Sequence, residues 1–410
     1  MGTWRTTWLS GLCSVLVGVL VVPAALPAHD GGGSRPQLYL DTAQGIAAID
    51  AENGAPSFTA HDARPAGDWS RLVSAAPDGT TTRVSVIDAI DGTTQGAFSV
   101  DGRNDVRVVS YRGDLVALSP HEAGRDGHQP GRERTTLVVA ATDGSGTRTY
   151  DLPGNVEPEA FSTDGRAAFV IDYLPPMQPD RYQVRRLDLA TGQLGDVPSP
   201  DGANQGQMPG VARTQVMAPD GSRLYTLYTS ADEHGDAYSF VHVLDLDGQW
   251  AHCVDLPRPF GQAPEAMSLA ITPNGSAVYV ADVASGRLAE VSTNRLTVAR
   301  TARTPVRGFG QQPHLAASSS LLYVAVDRTL IAMRTPSLVV RYHEALPSAA
   351  RGLAVPSTAP LLYVAHRHAI DGRDPTTGSL STTVRVDTPH LVGLGYGATP
   401  PSGDTIKCAC

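Results

Sequence analysis

The chain of 410 residues carries 41 Gly and 31 Pro along its length, with 32 Lys and Arg against 41 Asp and Glu, for a net charge of −9. No cluster of basic residues stands out, which excludes a nucleic-acid or anionic-lipid partner bound through a cationic face. Length alone allows two or three domains, yet no Ser/Pro-rich or charged linker divides the chain.

Residues 1–28 form a segment apart. Arg5 supplies one positive charge, residues 11–26 are an apolar run interrupted mainly by Ser14, Gly18 and Pro23, and small residues end it at Ala24, Ala25 and Ala28. This order predicts a secretory signal peptide cleaved near His29. The alternative is an uncleaved anchor, for which a run of about 16 to 18 residues is short, because a spanning helix needs about 20. No second apolar run of that length follows. The protein is therefore expected to be secreted or at the cell envelope, with no membrane span after the signal segment.

From residue 35 onward two phrases recur. The first is Ala218-Pro-Asp-Gly221 followed by LYTLY, repeated as Thr272-Pro-Asn-Gly275 followed by AVYVA. Proline fixes φ and Asp-Gly or Asn-Gly tolerates positive φ, so each copy predicts a tight turn between two antiparallel strands. Weaker copies stand at 160–172, 316–326 and 354–366, the last two without the glycine but with Leu-Tyr-Val kept. The second phrase is an apolar run leading into an Asp/Asn/Thr-Gly turn: 46–54, 84–92, 137–144, 184–192 and 241–248, with 288–294, 330–337 and 368–378 in the same place later.

Eight units result. From Gly54 to Gly378 the seven intervals average about 46 residues, room for four short strands and their turns. Signals for long amphipathic helices are absent, so the expectation is an all-β β-propeller over residues 35–398, with eight blades and seven as the alternative, followed by a tail at 399–410. Residues 380–387 read as an outer strand and 390–397 as the next inner one. The first unit begins at Gln37-Leu-Tyr-Leu40 without an inner strand of its own. The C-terminal strand is thus predicted to complete the N-terminal blade and to remove the exposed sheet edges.

The order G-x-x-P, apolar stretch, S/T-P-D/N-G, Y-V stands here as Gly261-Gln-Ala-Pro264, Met267–Ile271, Thr272-Pro-Asn-Gly275 and Val278-Tyr-Val280. It resembles the repeat of the YVTN-type propellers, relatives of the lactonase-like and cytochrome-d1-like propellers. Gly310-Gln-Gln-Pro313 with Leu322-Tyr-Val324 is a weaker match. The resemblance is sharp only in the last four units and implies a seven- or eight-bladed propeller, often exported, without implying one reaction.

Motifs of catalysis are missing: no Gly-x-Ser-x-Gly elbow, His-Glu-x-x-His helix, Walker loop, Rossmann fingerprint or haem-attachment Cys-x-x-Cys-His occurs. No cofactor is expected. Past the signal segment Cys253, Cys408 and Cys410 leave an odd thiol, and two cysteines on a tail are a weak start on a tetrahedral metal site. His366 and His368, two apart on one strand, would share a face, yet no third ligand can be placed beside them, so no metal is expected.

Geometry gives the candidate site. In a propeller the connections from second to third strand and from one blade to the next open on one face. Here 119–134, 173–182, 198–213, 229–238 and 257–265 are long and form an expected rim, with His121, His128, Arg181 and His234 as candidate ligand contacts. The inner strands add Glu159, Arg213, Glu265, His314 and Arg351 toward the channel. Glu265 lies ten residues before its turn glycine and Glu159 six, so these do not fall on one ring by sequence. The first expectation is a monomeric, non-catalytic binding module for a protein, glycan or small molecule. The alternative is a hydrolase of the lactonase type in the central funnel.

Overall fold

The computed structural model describes residues 36–121, 131–203, 206–232, 234–308, 310–355, 361–387, 390–396 and 399–403. The expected signal segment, His128, Cys408 and Cys410 lie outside the described residues. The strands form eight antiparallel sheets, one per blade, arranged in a ring, so the count is eight and not seven. The inner strands of blades 1 to 8 are His390–Tyr396, Arg64–Pro65, Asn104–Val109, Asn155–Phe161, Val211–Met217, Met267–Ile271, His314–Ala317 and Ala350–Ala354.

The first phrase builds the turn from inner to second strand. In blade 6 Thr272 Oγ1 accepts from the Ala277 N–H at 3.1 Å, Asn274 Oδ1 accepts from the Ser276 N–H at 3.1 Å, and Gly275 takes φ 70°. Blade 4 repeats this with Ser162, Asp164 and Gly165. The tyrosine that follows is core: Tyr225, Tyr279, Tyr323 and Tyr363 are all buried, and Phe169 stands in their place in blade 4. Each such ring contributes about 1.5–3 kcal/mol by leaving water.

The second phrase builds the turn from third to outer strand. Asp50, Asp88, Asp188 and Asp374 each use Oδ1 to accept two backbone N–H groups of the turn, and the glycine N–H returns to the aspartate carbonyl. The glycine then lies against the outer strand of the blade before it. A Cβ on Gly92 would stand 2.4 Å from Phe58, and one on Gly378 2.6 Å from Tyr342. Stacked blades cover both faces of their central strands, which is why Ala277–Asp282 and Leu321–Val326 are buried at every position while the outer strand Thr297–Arg303 is not.

Ring closure follows the expected route. His390–Tyr396 pairs with Pro36–Thr42, with Leu394 opposite Leu38 and His390 opposite Asp41. Thr399–Gly403 pairs with its far edge, so strand pairing runs past residue 398, where the sequence reading ends the propeller. The histidine pair is a correction: His366 ends the second strand of blade 8 and His368 sits in the turn before Ala369–Arg373. His366 is buried with Nε2 3.3 Å from Asp371, whereas His368 is exposed beside Asp387, so the two imidazoles do not share a face.

Deleting residues 388–410 strips the pairing edge of Pro36–Thr42. A buried unpaired backbone group costs about 1–3 kcal/mol against a domain stability of about 5–15 kcal/mol. The truncated protein is expected to aggregate or to lose most of its melting cooperativity in calorimetry; a melting temperature within two or three degrees of full length would contradict the closure.

Candidate functional site

A cavity of about 890 Å³ occupies the channel beside blades 1 to 5. It exists because blade 2 is irregular. Its inner strand is only Arg64–Pro65, and the chain then turns through residues 66–70, where Trp69 takes φ 56° and is buried edge-on to Tyr39 at 5.6 Å. Tyr111, in the first turn of blade 3, also lines it. Its hydroxyl donates to the Pro219 carbonyl of blade 5 at 2.6 Å, its ring lies against Gly221, and its backbone carbonyl accepts from the Asp68 N–H of blade 2.

Five inner strands carry a β-bulge, an extra residue with no partner opposite; in blade 1 it is Val392, and in blades 3, 4, 5 and 8 it is charged: Arg107, Glu159, Arg213 and Arg351. A bulge breaks the alternation of the strand and re-aims one side chain. Arg107 and Glu159 line the cavity together with Gln215. Each stands six residues before the first-turn glycine of its blade, Gly113, Gly165 and Gly221, so three neighbouring blades present them at one depth. Gln215 Nε2 confirms the level by donating to Glu159 Oε1 and to Thr226 Oγ1, both at 3.1 Å.

The wall is charged with both signs. Asp105 holds His121 Nδ1 at 2.9 Å and faces Arg107 at 3.6 Å, and Arg107 Nε donates to Ser119 Oγ at 2.6 Å. Arg64 Nε donates to the Val106 carbonyl at 2.9 Å. Desolvation lowers the Arg64 pKa and the nearby Arg107 lowers it further, against the pull of Asp105 and Asp41. Desolvation pushes Asp41 up to about 6, with Arg64 opposing. In the neighbouring blade 4, burial pushes Glu159 up to about 7, and contacts with Thr226 and Gln215 work the other way.

Of the sequence candidates, Glu159 and His121 line the cavity. Arg213 and Arg351 sit on bulges outside it, Arg213 bonded to Thr229 Oγ1 at 2.6 Å and Arg351 contacting His390 Nε2 at 3.1 Å. His314 begins the inner strand of blade 7. Glu265 is exposed on a short 3₁₀ turn, Pro264–Ala266, and so does not face the channel from an inner strand. Arg181 is exposed and paired with Asp180 at 2.7 Å, and His234 is exposed in a loop that Arg258 ties down through Asp232 and Asp236. Asp41, Arg64, Asp105, Arg107 and Gln215 escape the sequence reading; the shared spacing to the turn glycine marks the last two. Among the described residues no cluster of three or more His, Cys, Asp or Glu has the geometry to hold a metal ion, and no helix is long and apolar enough to cross a membrane.

Fold and cavity define the class: an eight-bladed β-propeller with a pocket lined by charged and aromatic side chains. No protein-family profile and no curated protein matches the sequence. Among solved structures the chain is similar to AztD from Citrobacter koseri, at 12% identity and a TM-score of 0.57 over 89% of this chain and 99% of that one. BamB from Moraxella catarrhalis matches at 14% and 0.46 over 79% and 87%, and hydrazine synthase from Kuenenia stuttgartiensis at 13% and 0.43 over 85% and 100%. At these identities the likeness is one of fold.

A carboxyl whose folded pKa is raised contributes its stability below the unfolded value, about 4.5, and loses it as pH climbs through about 7. Glu159→Gln is therefore expected to melt with wild type at pH 4.5 and to exceed it by roughly 1–3 kcal/mol at pH 8, after allowance for solvent screening. Equal stabilities at both pH values in chemical denaturation would remove the buried-carboxyl assignment.

Proposed function

We propose that this protein is an exported, non-catalytic propeller that binds a small polar molecule in its channel cavity. The observation that carries the reading is the cavity itself: about 890 Å³, lined by Arg and carboxylate groups and by Tyr111, whose hydroxyl is held on the Pro219 carbonyl. Ligand pockets commonly have about 300–1,000 Å³ and a few fixed polar groups on an apolar wall. Trp69, Phe161 and Met217 give that wall. Export rests on the signal-like character of residues 1–28, and a place at the cell surface or envelope follows from it.

A second reading, a hydrolase of the lactonase type, has one specific support. Glu159, poised near neutrality, is suited to give and take a proton. Lactone turnover that disappears in Glu159→Gln while binding persists would establish it.

The binding reading is tested by filling the space. Ala75→Trp adds bulk at a residue that lines the cavity and also packs against the core of blades 2 and 3, so the variant's fold is checked first by circular dichroism. Compounds that raise the wild-type melting temperature in a metabolite screen are expected to lose that effect in the variant. Compounds that stabilise both proteins equally would place binding elsewhere.

A further inference from the structure

A second set of chemistry-bearing side chains stands outside the cavity, at the seam between blades 4 and 5. His242 and Cys253 are directly opposed on the third and outer strands of blade 5, Ala237–Asp245 and Trp250–Asp255. Residues opposed in this way share a face, with Cβ atoms about 4.5–5.5 Å apart. Met208 reaches the same face from the 198–213 connection. Its backbone is fixed to Tyr182 of blade 4 by two hydrogen bonds of 2.8 and 2.9 Å, and its Sδ accepts from Cys253 Sγ at 3.3 Å. Imidazole, thiol and thioether thus meet at one seam, brought there by three stretches of chain. None of the three lines the channel cavity.

We propose that these side chains form a binding site for a soft monovalent cation, Cu(I), with Cys253 as thiolate, Met208 as thioether and His242 as imidazole ligand. Thiolate and thioether donors select soft ions, whereas hard cations take oxygen. Because the third donor is a methionine, the trio is not a cluster of His, Cys and carboxylates. Cys253 is half-buried, so an ion arriving from solvent meets the thiol first. His242 is fully buried. Desolvation, and after it the nearby His252, pulls its pKa down to about 4, which leaves the ring neutral and able to ligate.

Charge decides between Cu(I) and Zn²⁺. The surroundings are aromatic and apolar: Tyr228 stacks on Tyr182 at 4.9 Å and on Phe240 at 5.3 Å, and it stands edge-on to His242 at 6.1 Å. Cu(I) with one thiolate is neutral overall. Zn²⁺ with one thiolate would leave a net positive charge at this seam, and the carboxylate two residues along the same face, Asp255, is exposed at the strand end. Zn²⁺ in a structural site also takes four ligands, one more than the trio supplies.

The test uses the full chain carrying Cys13→Ser, Cys408→Ser and Cys410→Ser, which leaves Cys253 as its one thiol. Cu(I) is titrated without oxygen against a chromogenic chelator, bathocuproine disulfonate, and the bound ion is read by copper X-ray absorption. One ion per chain is expected, with two sulfur neighbours and one nitrogen neighbour. Cys253→Ser should abolish binding. Met208→Leu, which keeps the apolar volume, should weaken it about tenfold or more and remove one sulfur neighbour. Circular dichroism checks that both variants fold, and the nitrogen neighbour reports on His242, whose removal from the core would disturb folding. Cu(I) retained by Cys253→Ser, a spectrum unchanged in Met208→Leu, or Zn²⁺ bound in preference to Cu(I) would overturn the inference. So would fewer than two sulfur neighbours in the parent chain, whatever the variants do.

Discussion

The pairing of Pro36–Thr42 with His390–Tyr396 is the contact on which the rest depends. A propeller blade cannot bury its faces alone; each needs a neighbour on either side, and only a closed ring gives every blade two. Closure by backbone hydrogen bonds joins the two ends of the described chain in one sheet and fixes the circumference. The circumference sets the channel width, and with eight blades the channel is wide enough to hold a cavity that side chains do not fill.

Within that ring a division of labour separates turns from bulges. The turns are uniform: an Asp carboxylate gathers two N–H groups, a glycine at positive φ fits against the preceding blade, and the seam repeats. The inner strands are not uniform. Bulges in blades 3, 4, 5 and 8 put a charged side chain out of alternation, while the inner strands of blades 6 and 7 pair without a break. Charge is concentrated in the channel beside blades 1 to 5, where the short inner strand of blade 2 leaves room.

The propeller and its closure were legible in the sequence because turn chemistry is local: Pro-Asp-Gly before a tyrosine dictates its hairpin wherever it occurs. The site was only partly legible because a bulge is a relation between two strands. Glu159 could be named from its place on an inner strand, yet Arg107 was passed over, although its six-residue distance to Gly113 matches that of Glu159 to Gly165. Trp69 and Arg64 were hidden because the inner strand of blade 2 is only two residues long, too short to be read as a strand from sequence. Glu265 and His368 misled for the opposite reason, since a 3₁₀ turn and a hairpin turn fell where regular strand was assumed.

The account turns on a carboxyl placed by a bulge into the cavity, with no ion pair within 4.0 Å among the described residues. Difference infrared spectroscopy across pH 4 to 9, wild type against Glu159→Gln, reads the protonated carbonyl band of that one group directly. The account predicts that the band persists at pH 6 and disappears with a midpoint near 7. A midpoint near the ordinary glutamate value of about 4.3 would mean that Glu159 is solvated or already paired, and would contradict it.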